Sequence, residues 1–358
     1  MPRLGQHIRF CKSRDGAQIA MASIGRGPPL LRTAHWLSHV EHDARSPVWT
    51  HWLEALSRDH TYIRYDQRGC GLSDRSPPST SFESWIEDLE AVVEAQGLKR
   101  FPLFGMSQGG AIAIAYAARH PEKVSHLILF GAYGRGALRR SVTEQQREEA
   151  ETLVKLIRLG WGRDNPAFRQ VFTSQFIPDG TLEQHQWFND LERISASPES
   201  AADIVETLHR LDVSAEAASL RVPTLVMHAR YDARVPFEEG RQLAALIPSA
   251  RFVPLEARNH VLLPGEPAWV QFLDEFRSFL GGAGGTPLAL RQSGLTASEQ
   301  AVLALVARGL DNAAIAEALG KSEKTVRNQV SSIFAKLGVS TRSQAIVLAR
   351  DAGIGDAW

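Results

Sequence analysis

The segment GMSQGG, residues 105–110, lies between the apolar run KRFPLF and the small-residue stretch AIAIAYAARH. The apolar run predicts a buried strand, and the small-residue stretch predicts a closely packed helix. A serine between glycines at such a strand-to-helix turn has its hydroxyl lifted clear of the backbone, because only small neighbours permit the sharp turn. Ser107 is therefore a candidate nucleophile, and it requires partners elsewhere in the chain.

Two later segments supply those partners, so that the three residues follow one another along the chain in the order Ser, Asp, His. Asp232 follows the apolar run VPTLVMHA, and His260 follows RFVPLEA. An imidazole can take the proton of a serine hydroxyl, and a carboxylate fixes the tautomer of the imidazole and stabilises its charged form. The developing oxyanion needs two donors, which we expect from the backbone N–H groups of Gln108 and of Trp36 in TAHWLSH.

The order of elements predicts an α/β domain. Over the first 135 residues β-rich runs alternate with helical patterns, beginning with a hairpin that turns at Asp15-Gly16, so we expect a mostly parallel sheet covered on both faces. Amphipathic helical patterns fill residues 136–220 and predict a helical cap insertion, whose aromatic residues mostly form its own core. The sheet resumes after it, and glycine-rich residues 281–293 predict a linker.

Residues 7–280 resemble the α/β-hydrolase superfamily. The resemblance is carried by the serine motif, by the order of the three candidate residues, and by YDQRGCGLSD. This segment is similar to a loop of that family with the pattern D-x-R-G-x-G-x-S, and we expect its role to be structural. Many relatives have His-Gly where this chain has His35-Trp36, so the bulky side chain is expected to narrow the pocket. A hydrolase fold that keeps the serine but turns nothing over remains an alternative.

Residues 294–358 predict a small all-α domain. Thr296 and Glu299 form a capping box, and Ser322 caps a helix from Glu323 to Leu337. The apolar residues of that helix share one face, and its other face carries polar side chains suited to base edges and phosphates. The candidate DNA-binding residues are Lys321, Lys324, Thr325, Arg327, Asn328, Gln329, Ser331 and Lys336.

Residues 294 to about 352 resemble the LuxR-type helix-turn-helix domain, through LTASEQAVLALVARGL, IAEALGKSEKTVRNQVSSIFAKLGV and STRSQAIVLA. Because a single module of this kind buries little surface, we expect a homodimer that reads two DNA half-sites, with Ile346, Val347 and Ala349 of the last helix as candidate apolar contacts. Relatives often carry other residues at Gln329 and Ser331, which leaves the operator sequence open. A helical domain for protein contacts only is the alternative.

Composition excludes several function classes. Lysine plus arginine equal aspartate plus glutamate at 40 each, so DNA binding must come from a local patch. Two cysteines cannot build a disulfide framework, and neither a signal-peptide core nor a membrane-spanning run is visible, so we expect a cytoplasmic protein away from membranes. No cofactor is predicted. A metal site at His35, His39, His42 and Asp43 is disfavoured, because no partner sequence completes a zinc pattern.

Two functions are compatible with a chain that has both a hydrolase-like domain and a DNA-binding domain. The first is a transcriptional regulator whose hydrolase-like domain senses a small ester, lactone or similar ligand in a capped pocket, and a sensor that also cleaves its ligand is compatible with it. The second is a serine hydrolase whose DNA-binding tail is secondary. Hydrolysis of a diffusible ester gains nothing from a promoter, so the regulator is favoured. Since a glycine-rich linker transmits no strain, coupling is expected through paired hydrolase domains.

Overall fold

The computed structural model describes residues 5–140, 143–281, 295–339 and 341–351. The packing of the chain separates two compact units, Met1–Val270 and Gln271–Trp358. The predicted linker lies outside the described residues, apart from Gly281 at its start. Within the described ranges, no helix is long and apolar enough to cross a membrane.

The first unit is built on one eight-stranded sheet with the order β1-β2-β4-β3-β5-β6-β7-β8. Strand β2 pairs antiparallel with β1 and β4, and all other pairs are parallel. The predicted amino-terminal hairpin and the mostly parallel sheet are confirmed. The strands are β1 His7–Lys12, β2 Gln18–Ile24, β3 Pro29–Arg32, β4 Thr61–Tyr65, β5 Phe101–Met106, β6 Val124–Phe130, β7 Thr224–Ala229 and β8 Ala250–Leu255.

Helices connect these strands, and a short 3-10 turn at Ala137–Arg139 follows β6. Five of the helices, α5 to α9, lie between β6 and β7 and form the predicted cap insertion. The helices are α1 Val40–Asp43, α2 Thr50–Ser57, α3 Phe82–Ala95, α4 Gln108–Arg119, α5 Glu144–Gly160, α6 Ala167–Phe176, α7 Leu182–Ser195, α8 Pro198–Arg210, α9 Ser214–Ser219, α10 Phe237–Leu246 and α11 Pro267–Phe279.

The cap has an aromatic core of its own and also packs on the loop after β3, which carries Trp36. Trp161 and Phe172 are 1% and 0% exposed, and their ring centroids lie 5.4 Å apart. The Trp36 ring lies 5.8 Å from Trp161 and 6.5 Å from Phe172. Trp36 therefore packs against the cap, which explains why a bulky residue is accommodated where a glycine is common.

In the second unit, the described residues from 295 onwards form four helices, α12 Ala297–Ala307, α13 Asn312–Ala318, α14 Glu323–Leu337 and α15 Arg342–Asp351. The predicted capping box of Thr296 and Glu299 is confirmed, and Ser322 accepts a hydrogen bond from the Thr325 N–H. A helical turn with positive φ at Gly320 separates α13 from α14. Three buried residues of α14 anchor it in the core: Val326, Val330 and Ile333.

The proposed dimer contacts on α15 need correction. Ala349 is 0% exposed within the core of its own domain, and Ile346 packs against the same core. A methyl group that is already enclosed cannot contact a second copy, so the assignment of Ala349 was wrong. The side chain of Val347 lies outside the described residues.

The loop after β4 has the structural role expected for it. The Arg68 guanidinium is fully buried and forms two hydrogen bonds with the Asp88 carboxylate, of 2.8 and 2.6 Å, and one of 2.6 Å with Asp15. The Asp66 carboxylate accepts hydrogen bonds from the N–H groups of Val40 and Leu72, both of 2.9 Å. These contacts join the amino-terminal hairpin, helix α3 and the pocket loops.

Removal of the Arg68 guanidinium should destabilise the first unit. Arg68→Met leaves the Asp88 carboxylate buried without its partner, and the loss of one member of such a pair costs about 3–5 kcal/mol. Arg119→Met is the matched control, because Arg119 forms an ion pair with Glu83 in which the two side chains are 39% and 59% exposed, respectively. Exposed ion pairs of this kind contribute less than about 1 kcal/mol to the free energy of unfolding. Urea unfolding followed by tryptophan fluorescence measures both variants. Equal losses would contradict the role of the buried pair.

Candidate functional site

Ser107 occupies a strained turn between β5 and α4. Its φ of 53° and ψ of −127° are unusual for a residue with a side chain. Among the described non-glycine residues, only Leu37 and Ser107 have positive φ. Leu37 directly follows Trp36 in the loop after β3. The Ser107 N–H donates a 2.9 Å hydrogen bond to the carbonyl of Phe130 at the end of β6, which holds the turn against the sheet. Strain of this kind persists only where the surroundings enforce it.

The glycines around Ser107 are required by close contacts. A Cβ atom at Gly105 would lie 2.7 Å from Cα of Gly110, and one at Gly109 would lie 2.4 Å from Oγ1 of Thr33. The Thr33 hydroxyl donates a 2.8 Å hydrogen bond to the Gly109 carbonyl. Helix α4 thus lies directly against the loop after β3, which explains in physical terms the small residues on both sides of the serine.

His260 and Asp232 form a hydrogen-bonded pair. Nδ1 of His260 lies 2.7 Å from Oδ2 of Asp232, and the N–H groups of Arg234 and Val235 donate to Oδ1 of the same carboxylate at 2.8 and 2.9 Å. Burial alone would raise the pKa of Asp232, but the interactions with His260, together with His228 and the Val235 N–H, outweigh burial and lower that pKa. An ionised Asp232 places the imidazole proton on Nδ1, so Nε2 is left to act as a base.

The imidazole of His260 lies close to the backbone of Gly131, next to the serine turn. A Cβ atom at Gly131 would lie 2.8 Å from Cε1 of His260, and Gly131 directly follows Phe130, whose carbonyl holds Ser107. Nε2 of His260 is buried and has no hydrogen-bond partner among the described residues. The structure thus brings Ser107, Asp232 and His260 to one end of the sheet, without a hydrogen bond between the serine and the imidazole.

The cap fixes the position of the candidate base. The backbone N–H groups of His260 and Val261 both donate to the Phe176 carbonyl at the end of α6, at 2.9 and 3.1 Å. The Phe176 ring lies 5.5 Å from the His260 ring. The side-chain oxygen of Asn259 accepts from the Asp179 N–H at 3.0 Å. A displacement of this part of the cap would therefore move the imidazole.

Both expected oxyanion residues line the pocket over Ser107. Trp36 and Gln108 contribute to a pocket of about 70 Å³ that also contains Tyr133 and Phe176. Gln108 is the first residue of α4, where backbone N–H groups have no partner within the helix. The Trp36 side chain therefore forms part of the pocket wall.

Three polar residues that sequence reasoning missed also line this pocket. They are Arg140, His209 and Arg234. The same three residues line a wider cavity of about 510 Å³ beyond it. Arg234 is two residues after Asp232, and this spacing is the signal in the sequence that could have placed Arg234 near the site. The other two come from the cap region and approach the site only through the tertiary fold.

The histidine cluster considered for a metal has other contacts. Nδ1 of His35 lies 2.9 Å from the Trp36 carbonyl oxygen, the His42 ring stacks on Trp187 at 4.7 Å, and Asp43 pairs with Arg64 at 3.3 Å. Within the described part of the chain, no three His, Cys, Asp or Glu side chains are placed to hold a metal ion.

In the second unit, five of the eight candidate DNA-binding residues form the exposed face of α14. They are Lys324, Thr325, Arg327, Asn328 and Ser331. The Arg327 guanidinium forms an exposed pair with Glu323 at 2.9 Å, one turn earlier on the same helix. A helix surface of cations, amides and hydroxyls suits both phosphates and base edges.

The other three candidate residues point towards α12. Nζ of Lys321 donates to Ser298 and Gln329, and Nε2 of Gln329 donates to Ser298 at 2.8 Å. Nζ of Lys336 lies 2.7 Å from Oε2 of Glu299, and this hydrogen bond is the main cause that lowers the pKa of Glu299 to about 2. These residues hold α14 against α12, a role that the helical face pattern alone does not reveal.

Comparison with known proteins agrees with both units. Residues 44–267 match the family model described as alpha/beta hydrolase fold, and residues 293–349 match bacterial regulatory proteins of the luxR family. The chain is 28% identical over 256 residues to the AB hydrolase superfamily protein YisY of Bacillus subtilis (strain 168), which covers 70% of this chain and 91% of that protein.

Two further proteins resemble the first unit. The pyrrolizixenacetamide deacetylase of Xenorhabdus hominickii is 28% identical over 271 residues, which cover 74% of this chain and 95% of that protein. The esterase RhEst1 from Rhodococcus sp. ECU1013 superimposes with a TM-score of 0.64 at 26% identity, covering 77% of this chain and 99% of that chain. The chain thus belongs to the α/β-hydrolase fold family, and it carries a luxR-family regulatory domain at its carboxyl-terminal end.

Proposed function

We propose that this chain is a DNA-binding transcriptional regulator whose hydrolase domain binds a small ester, lactone or similar acyl compound. The observation that carries the proposal is the presence of a luxR-family domain and a capped hydrolase domain in one chain. A preformed pocket with a few convergent polar groups is suited to small-molecule binding. The domain limits that we propose are residues 1–280, a linker over 281–293, and residues 294–358.

The pocket residues support an acyl-transfer reaction on the bound compound. The Ser107 hydroxyl would attack the carbonyl carbon while Nε2 of His260 takes the hydroxyl proton, and the backbone N–H groups of Trp36 and Gln108 would bind the oxyanion. Collapse of the intermediate expels the alcohol, which takes the proton from His260. Water then cleaves the acyl-serine bond, releases the acid and restores Ser107. Such turnover would reset a ligand sensor.

A second candidate function is a serine hydrolase in which DNA binding is secondary. The paired Asp232 and His260 beside Ser107 favour it, because a degraded site usually loses one of its partners. The names of the similar deacetylase and esterase point in the same direction. The regulator includes this chemistry as a component, and a promoter offers no advantage to hydrolysis of a diffusible ester.

DNA binding is proposed to involve a homodimer on an operator with two half-sites. A single helix-turn-helix module buries little surface on DNA, and dimers of such modules match operators with two-fold symmetry. Pairing of the hydrolase domains would set the spacing of the two recognition helices. Ligand binding and DNA binding would then be coupled, and the coupling would act equally in both directions.

Ser107 should react with a fluorophosphonate probe. The wild-type protein is expected to be labelled, because Nε2 of His260 is available to activate the hydroxyl, and Ser107→Ala should abolish labelling. Ser174→Ala, at an exposed serine of the cap, is the matched control and should be labelled like the wild type. Intact-protein mass spectrometry reports the adduct. Equal labelling of wild type and Ser107→Ala, or of neither, would contradict a competent triad.

Arg327→Ala should weaken binding to an operator selected from random double-stranded DNA. The reason is that loss of a good base contact costs about 1–3 kcal/mol of binding free energy. Lys324→Ala should also weaken binding, and it should reduce the slope of log affinity against log salt concentration by about one. Fluorescence anisotropy at several salt concentrations measures both effects. Lys99→Ala, an exposed lysine of the first unit, is the charge-matched control. If all three variants bound equally, α14 would not be the DNA-reading helix.

A further inference from the structure

The pocket over Ser107 is strongly asymmetric in charge. Arg140 and Arg234 both line it, and none of its described lining residues is Asp or Glu. His209 stands beside the two arginines, and burial followed by repulsion from Arg234 and Arg140 lowers the pKa of His209 to about 4, so its imidazole is neutral near pH 7. The two guanidinium groups therefore dominate the charge of the pocket.

The contacts of Arg234 orient its guanidinium group and leave some of its nitrogens available to a ligand. Its Nη1 donates a 3.0 Å hydrogen bond to Oε1 of Gln175, and its guanidinium carbon lies 5.5 Å from the centre of the Phe176 ring. Its Nε and Nη2 have no hydrogen-bond partner within the described ranges. Burial lowers the pKa of Arg234, and repulsion from Arg140 acts in the same direction. An anion placed here would relieve both penalties.

Arg140 is held in a similar way. Its Nε donates to the Arg135 carbonyl at 3.1 Å and lies 3.4 Å from the Glu239 carboxylate, and its guanidinium carbon lies 5.5 Å from the Tyr133 ring centre. Both polar contacts use Nε. The two terminal nitrogens of Arg140 have no hydrogen-bond partner among the described residues, so this side chain also presents donors to a ligand.

The position of the arginines relates their charge to the chemistry at Ser107. Arg140, His209 and Arg234, with Ala137, form the wall shared by the inner pocket and the wider cavity of about 510 Å³. Ser107, Trp36 and Gln108 line the inner pocket together with these residues. A group bound by the arginines would thus lie in the same pocket as the carbonyl that Ser107 attacks.

We infer that the pocket takes acyl compounds that carry a carboxylate a few carbon atoms from the reacting carbonyl, with Arg140 and Arg234 binding that carboxylate. Planar guanidinium groups with free donors suit a planar carboxylate, and such charge-assisted hydrogen bonds are stronger than neutral ones. The inference rests on the proposed function, since it names the class of ligand bound at that same pocket.

Binding of glutarate and of its uncharged analogue glutaramide tests the inference without turnover. Isothermal titration calorimetry is performed on the full-length wild type, Arg140→Met and Arg139→Met. The wild type should bind glutarate more tightly than glutaramide, and Arg140→Met should lose that preference by about tenfold or more, as expected for charge-assisted hydrogen bonds. Arg139 is the matched control, because this neighbouring arginine is exposed and does not line the inner pocket.

A second measurement compares hydrolysis of mono-4-nitrophenyl glutarate and 4-nitrophenyl butyrate by the same proteins. The ratio of kcat/KM values should favour the glutarate ester and fall in Arg140→Met but not in Arg139→Met. Glutarate binding that depends on Arg140, without hydrolysis of either ester, would support the carboxylate subsite and remove turnover from the proposed function. Hydrolysis or binding with no preference for the charged compound would overturn the subsite and leave the proposed function intact. Failure of the wild type to bind or hydrolyse any of the four compounds would count against both.

Discussion

The close approach of helix α4 to the loop after β3 determines the geometry of the site. Gly109 lies so near Thr33 that no Cβ atom fits between them, and Ser107, two residues earlier, has a positive φ. The turn, the pocket loop with Trp36, and the first N–H groups of α4 are therefore positioned together. A side chain at Gly109 would separate these elements and disturb the nucleophile and the expected oxyanion donors at once.

The cap adds a second level of control. Its Phe176 carbonyl accepts hydrogen bonds from two N–H groups of the loop that carries His260, and its helix α8 contributes His209 to the pocket wall. The cap thus positions the candidate base and contributes to the wall of the proposed ligand pocket. Any ligand that displaces the cap would also move the imidazole, which gives a regulator a physical link between occupancy and conformation.

Much of the fold and the three triad candidates could be predicted, because each depends on a local pattern: a strand, a turn with small residues, and a polar residue at a strand end. The arginine pair could not, since Arg140 and Arg234 are brought together by a cap whose packing no short segment encodes. Helix α14 shows the same limit. Its outward face followed from periodicity, but the pairing of Lys336 with Glu299 depends on the packing of α14 on α12.

We propose that occupancy of the pocket controls DNA affinity. The most direct measurement is a titration of a selected operator with full-length protein, before and after fluorophosphonate modification of Ser107, with Ser107→Ala treated in parallel. We expect modification to change operator affinity by about fivefold or more, which is the lower end of typical coupling between sites, and we expect treated Ser107→Ala to be unchanged. Confirmed modification of Ser107 with identical operator affinity would contradict the claim.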